Sequence, residues 1–160
     1  SLGLVGSEMC IRDRSRTLLD IVNEKAVVEI ISVDASSPVM EALIIMAKFK
    51  IGALIVMNKN KMVGIISERD YAREMILERR SSKDTLVKEI MTKKVISLSA
   101  NDTFEKGLEV MTKKRIRHMP IMDGKDLVGM VSQGDLVKEM IAYQKELIAE
   151  LKVFAYERAW

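Results

Sequence analysis

A single cysteine, a single histidine, two prolines and 4% aromatic residues are all that this 160-residue chain has of the types that staple, ligate or stack. Cys10 alone can make no intrachain disulfide, and nothing else in the sequence points to an oxidising compartment. One histidine and one cysteine leave no metal-ligand cluster and no nucleophile with a base in its pattern, so the chain is expected not to be an enzyme. The phosphate-loop pattern Gly-x-x-x-x-Gly-Lys-Ser/Thr and the pattern Gly-x-Gly-x-x-Gly are both absent, and ATP hydrolysis is not expected. Scarce aromatics argue against stacking platforms for single-stranded nucleic acid. Charge of one sign is lacking too: 26 Lys and Arg against 23 Asp and Glu give a net +3, too small a bias to name a partner. The longest apolar runs, residues 42–47 and 52–57, fall far short of the ~18 residues that span a bilayer. With no such span and no signal segment, a cytoplasmic location is expected, although an organelle transit peptide would have been lost from this same region.

What is present suffices for a core. Hydrophobic residues make up 48% of the chain and charged residues 31%, a globular balance, and the 12 methionines imply a core of aliphatic rather than aromatic side chains. A chain near ~150 residues buries roughly 70% of its unfolded surface and folds without staples. Residues 4–13 have no hydrophobic period and resemble the translation of a sequencing adapter. Residues 1–15 are therefore expected to be a non-native or disordered leader.

Compared with itself, the sequence repeats at an offset of 65 residues, without a gap, from Glu29–Ile76 to Lys94–Ile141. Ile31, Ser32, Ala35, Leu43, Met46, Ile51, Met57, Val63, Gly64, Ser67, Asp70 and Met75 are among the residues that recur unchanged. A gapless match over a whole supersecondary unit means duplication and implies a pseudo-twofold assembly. Each copy reads as strand, helix, strand, strand, helix. In the first, residues 27–33 are expected to form a strand, a nearly buried helix follows Pro38 to about Phe49, and residues 53–57 and 62–66 form a hairpin. Ser67 then caps a second helix that continues from Tyr71 to Arg79. The second copy repeats this with a strand at 95–98, a helix at 102–114, a hairpin turning at Asp123-Gly124, and a helix from Gln133. That last helix runs on through Gln144, Leu147, Ile148, Leu151 and Phe154 at helical spacing, a stripe that needs its own chain or a second subunit to cover it. The expected organisation is a first repeat at 17–80, a second at 83–142 and a helical extension at 143–160. The fold class is α+β with two β-α-β-β-α units.

Five segments carry a resemblance: Ile51-Gly52-Ala53-Leu54-Ile55-Val56, Val63-Gly64-Ile65-Ile66-Ser67-Glu68-Arg69-Asp70, Glu89-Ile90-Met91-Thr92, Arg115-Ile116-Arg117-His118-Met119-Pro120-Ile121 and Val128-Gly129-Met130-Val131-Ser132-Gln133-Gly134-Asp135. Each is weak alone. Together, with Gly-x-x-Ser-x-x-Asp placed twice between a hairpin and a helix, they resemble a tandem pair of cystathionine-β-synthase (CBS) domains, regulatory modules that bind adenine nucleotides. The resemblance covers about Thr17 to Tyr143 and is nearest to small stand-alone CBS pairs.

Ser67-x-x-Asp70 and Ser132-x-x-Asp135 are capping boxes, worth ~1 kcal/mol each to their helices. The same helix N-termini supply free N–H groups and a dipole for a phosphate, so both roles stand side by side. The resemblance implies that Asp70 and Asp135 hold the ribose hydroxyls and that Ser67 and Ser132 lie by the phosphate, with Arg69 and Gly134 inside the two motifs. For the base it points to a flat apolar slot at Ile31, Val33, Ala42 and Ile51 in the first copy, and at Ile96, Leu98, Gly107 and Ile116 in the second. Asp102 opens the helix beside the latter. Gly107 is notable because glycine inside a helix costs ~1 kcal/mol unless close packing or a ligand needs the space.

Lys113-Lys114-Arg115 with Arg117 and His118 is the densest basic cluster. Cations at a helix end offset the helix dipole, which alone accounts for Lys113 and Lys114. Arg117-His118, at a strand start, is where the family places cations against phosphates, whereas Gly52-Ala53 stands there in the first copy. The two clefts are therefore expected to differ, with Arg69, which aligns with Gly134, supplying part of the missing charge. The expected ligand is AMP, ADP or ATP, with NAD(H) and S-adenosylmethionine as outsiders and no resident cofactor or metal. The expected partners are a second copy, through the CBS helices and the C-terminal helix, and an unidentified target protein. An interaction module without ligand, or a nucleic-acid binder through residues 113–117, is the alternative.

Overall fold

The structure is a computed structural model that describes residues 16–25 and 29–159. Among these, six strands form two three-stranded sheets of the same design. In the first, β1 (Ser32–Asp34) pairs in parallel with β2 (Ala53–Asn58), which pairs antiparallel with β3 (Lys61–Ser67). In the second, β4 (Leu98–Ser99), β5 (His118–Asp123) and β6 (Asp126–Ser132) repeat the arrangement. Even the irregularities repeat: the hairpin register shifts between Val56 and Met57 in one sheet and between Ile121 and Met122 in the other. Identical register at an offset of 65 confirms the duplication and the pseudo-twofold fold of paired β-α-β-β-α units.

The helices pack by their apolar faces. Helix α1 (Leu18–Asn23) starts at a capping box between Thr17 and Asp20; α2 (Val39–Phe49) and α5 (Phe104–Lys114) follow the parallel strands. Helix α3 (Glu68–Tyr71) passes directly into a π-helical turn at Ala72–Ile76; α4 is Val87–Ile90 and α6 is Gln133–Arg158. Around the first sheet Val39, Ala42, Met46, Leu54, Val56, Ile66 and Met75 are buried, and Val87 and Ile90 of α4 join them. Around the second, Phe104, Met111, Met119, Ile121, Val131 and Leu136 are joined by Leu18, Ile21 and Val22 of α1. Each core is thus completed by the helix that opens the other repeat. A fully buried Val, Leu or Ile contributes about 1.5–3 kcal/mol, so neither exchanged helix is dispensable. Ala53, Ile55 and Ile65, with Val95, Leu127 and Met130 against them, form a third cluster that joins the two sheets.

Several elements differ from the expectations. Of the strand expected at 27–33, residues 27 and 28 lie outside the described residues, as does the expected leader at 1–15, and β1 itself begins at Ser32. The strand expected at 95–98 shrinks to Leu98–Ser99, because Val95 and Ile96 line a cavity instead of a ladder. Helix α5 begins at Phe104 rather than residue 102, since the Thr103 side chain accepts from Lys106 N–H and is itself the N-cap. Helix α2 is less buried than its composition suggests: Ile44 is 60% exposed. The helix expected to reach Arg79 ends at Ile76, where Arg79 turns left-handed at φ 54° and Arg80 N–H closes onto Met75 C=O.

Helix α6 does continue past the repeat. The Tyr143 ring packs on Phe104, centroids 5.9 Å apart, and anchors the first part. Beyond it the stripe is left uncovered by the described residues: Ile148, Leu151 and Phe154 are 52%, 57% and 49% exposed. Among the described residues no helix is long and apolar enough to cross a membrane.

Candidate functional site

A cavity of about 680 Å³ opens between the repeats and draws on both. From the first repeat come Gly52, Ile65 and the whole motif Ser67-Glu68-Arg69-Asp70; from the second come Val95, Ile96 and the run from Lys114 to His118. Strand β3 delivers the motif because it ends where the chain must turn into α3. Ser67 adopts extended backbone there, and its hydroxyl accepts from Asp70 N–H at 3.3 Å. Asp70 answers through Oδ2, which accepts Ser67 N–H and Ser67 Oγ–H at 2.8 Å each. Its other oxygen, Oδ1, accepts the Thr92 hydroxyl at 3.1 Å. The carboxylate is thus held on three sides and still borders the cavity.

Six cationic side chains line the same space: Arg69, Arg73, Lys94, Lys114, Arg115 and Arg117. Against them, among the described residues, stand Glu68 and Asp70, an excess suited to a polyanion. Arg69 is positioned by its Nη1 donating to Arg115 C=O at 3.0 Å. That carbonyl is presented by a left-handed turn at Arg115, φ 54°, which ends α5 and directs the chain into β5. His118, the first residue of β5, lies so close to Gly52 that a Cβ at 52 would sit 3.5 Å from its Cε1. Burial is the main influence on this imidazole and pulls its pKa below the ordinary 6.5, while Asp135 and Glu68 pull the other way. Ile65, Val95, Ile96 and Ile116 give the cavity an apolar wall.

The pseudo-twofold counterpart is a different place. Its cavity is about 230 Å³, lined by Val22, Lys25, Glu29, Ile30, Ile31, Phe49, Ile51, Ile55, Gly129 and Met130. Ser132 and Asp135 repeat the capping box, with Ser132 N–H to Asp135 Oδ2 at 2.8 Å and Asp135 N–H to Ser132 Oγ at 3.1 Å. Asp135 is also paired with Lys25, Nζ to Oδ2 at 2.9 Å. Burial, the largest single influence, pushes this carboxyl up, but the Ser132 N–H and the Lys25 ammonium outweigh it and its pKa lies below the ordinary value.

The residues singled out in the sequence therefore divide. Ser67, Arg69, Asp70, Gly52, Ile96, Ile116, Arg117 and His118 meet around the larger cavity, and Ile31 and Ile51 line the smaller one. Arg69 does not offset the lack of Arg117-His118 in the other cleft, as the alignment suggested, because both sit in the same cleft and leave the other with neither. Val33 and Ala42 are buried in the first core, and Leu98 packs against the second. Asp102 accepts from Lys106 Nζ and Ser99 N–H. At Gly107 a Cβ would meet Leu136 Cδ1 at 2.6 Å, so close packing of α5 on α6 explains this glycine. Gly134 lies beside Ser132 Oγ at the start of α6. The sequence reading gave no role to Thr92, Lys94, Arg73 or Lys25. Among the described residues no cluster of His, Cys, Asp and Glu could hold a metal ion.

The family model for the CBS domain matches residues 19–77 and 87–142, one match on each repeat. The chain belongs to the CBS-domain proteins. A mitochondrial CBS domain-containing protein of Arabidopsis thaliana is 36% identical over 121 residues, covering 72% of this chain and 59% of that protein. This CBS pair thus spans less than two thirds of that curated relative. Among solved structures, a protein with CBS domains from Burkholderia ambifaria superposes with a TM-score of 0.76 at 41% identity, over 79% of this chain and 94% of that one. A hexameric CBS-CP12 protein from bloom-forming cyanobacteria shares the fold at 24% identity, with a TM-score of 0.68 over 78% and 67% of the two chains.

Proposed function

We propose that this CBS pair is an adenine-nucleotide sensor that binds AMP, ADP or ATP in the larger cleft and modulates a partner protein. The observation that carries the reading is the meeting, in one cavity, of the Ser67–Asp70 motif with six cations from both repeats. In the proposed pose the ribose hydroxyls donate to Asp70, the phosphates lie against Arg117, Arg69 and the N-terminus of α3, and the base lies on Ile96 and Ile116. A cavity of about 680 Å³ is within the ~300–1,000 Å³ of small-molecule sites. The cationic lining favours ATP and ADP over AMP and disfavours S-adenosylmethionine, whose sulfonium adds positive charge. Because the ligand would touch both repeats, its binding favours one relative orientation of them by its differential affinity for the two states. Calorimetric titration of ATP, ADP, AMP, NADH and S-adenosylmethionine into the full chain tests this. One tight site for an adenine nucleotide is expected, and a flat panel removes the reading.

The uncovered stripe on α6 favours, in addition, assembly with a second copy: Ile148, Leu151, Val153 and Phe154 leave apolar surface along one extended helix. The cyanobacterial relative is hexameric. Sedimentation of the full chain measures the assembly directly.

A further inference from the structure

The smaller cleft contains a side chain where the larger one has free space. Lys25 reaches Asp135 Oδ2 at 2.9 Å and, with the same ammonium, donates to Met130 C=O at 3.0 Å. Met130 is the repeat counterpart of Ile65, and the Ile65 carbonyl has quite another donor: it accepts Thr92 N–H at 2.8 Å, in a bridge whose return bond runs from Ile65 N–H to Thr92 C=O. In the larger cleft, then, backbone joins the lead segment to the sheet, and the carboxylate of Asp70 takes only hydroxyl and amide donors. In the smaller cleft a lysine side chain does both jobs. The lead segments correspond: a Cβ on Gly64 would strike Met91, and one on its counterpart Gly129 would strike Val22. Counting on from Met91 and Val22 places Lys94 at the position of Lys25, whereas the offset of 65 places it at Glu29, the carboxylate that lines the smaller cleft beside Lys25. Lys94 lines the larger cavity beside five other cations, and no ion pair ties it to Asp70.

We infer that Lys25 is an internal latch that occupies the Asp135 carboxylate and keeps the second cleft closed to a nucleoside, so that the chain presents one open site, not two. This inference rests on the proposed reading of Asp70 and Asp135 as ribose acceptors. The closed cleft measures about 230 Å³ against about 680 Å³ for the open one, and its walls are Ile30, Ile31, Phe49, Ile51 and Met130. Among the described residues, Lys25 is the one cation that lines it, with Glu29 the one carboxylate. What this cleft would accept once Lys25 withdraws is therefore an apolar base with a ribose diol and no phosphate. Lys25 and Asp135 are about one third exposed, 34% and 28%, so their pair is reversible rather than buried for good.

Adenosine is the probe, and Asp70→Ala silences the first cleft. Titrated calorimetrically into the full chain, adenosine is expected to bind Asp70→Ala only weakly. With Asp70→Ala/Lys25→Met it is expected to bind at one site per chain, at least tenfold tighter, and adding Asp135→Ala removes that site. Lys25→Gln, which keeps a polar head and loses the charge, is expected to open the cleft as Lys25→Met does, whereas Lys25→Arg keeps it shut. Unchanged adenosine affinity on removing the charge of Lys25, or a gain that persists without Asp135, overturns the latch. ATP binding to the unsubstituted chain is read separately and reports only on the first cleft, so failure there strikes the proposed function and not this comparison.

Discussion

The hydroxyl of Thr92 donates to Oδ1 of Asp70 at 3.1 Å, joining the opening segment of the second repeat to the motif of the first. The bond fixes the carboxylate that the ribose would meet, while the other oxygen caps α3 through Ser67.

Asp70→Ala is expected to weaken ATP binding about 10- to 150-fold, the loss of a charged acceptor worth about 1.5–3 kcal/mol. The fold survives, because the capping box costs about 1 kcal/mol, or a few degrees of melting temperature in a domain of this size. Calorimetry and a thermal melt on the same sample separate the two effects. Thr92→Val is expected to give a smaller loss in affinity of the same kind.

Arg117→Ala is expected to reduce affinity for ATP more than for AMP, since the cationic lining meets the outer phosphates. Raising salt from 50 to 300 mM is expected to compress the ATP-to-AMP ratio, because these side chains are exposed and screened. Affinities at the two salt concentrations check both statements.

His118 is neutral at neutral pH, its pKa held down chiefly by burial. A lowered histidine binds fewer protons folded than unfolded, so its contribution to stability is complete above the unfolded value near 6.5 and is lost as pH falls through the folded value. A phosphate placed beside the ring reverses the preference and raises that pKa. ADP affinity is therefore expected to rise from pH 8 to pH 6 more steeply in the unsubstituted chain than in His118→Gln, measured by calorimetry in buffers of differing ionisation heat.

Gly64→Ala is expected to destabilise by about 1–3 kcal/mol, because the new Cβ would lie 2.7 Å from Met91 Sδ and 2.8 Å from the backbone oxygen of Thr92. The methionine can move; the backbone oxygen belongs to the Ile65–Thr92 bridge and cannot without breaking it. Gly124→Ala, in a turn at φ +60° with open space around it, is expected to cost only about 1 kcal/mol. Denaturant melts of the two variants are compared directly.

Much of this was legible in the residues. The offset of 65 placed both hairpins and both motifs, because strand and cap signals are local and were duplicated together. What escaped was the pairing across repeats. Val22 and Met91 play one role but stand 69 residues apart, so comparison at 65 loses the lead segments, and with them Lys25 and Thr92. The ends of β1 and β4 escaped for another reason: Ile31, Val95 and Ile96 carry strand-forming side chains but line cavities between elements, where no neighbouring strand pairs with them. Gly107 posed the right question, packing or ligand, and only the position of Leu136 could answer it.

The exchange of α1 and α4 between the cores makes the two halves of the chain mutually dependent. Cleavage near Ser82 would leave one fragment carrying α1 without the Phe104–Leu136 core it completes, and another carrying α4 without the Val39–Met75 core that needs it. Such fragments should fail to fold separately and recover structure when mixed, complementing each other as two chains of one heterodimer. Neither repeat could then have existed as a free-standing monomer in its present form, and an ancestor with one repeat would have had to trade this same segment with a second molecule.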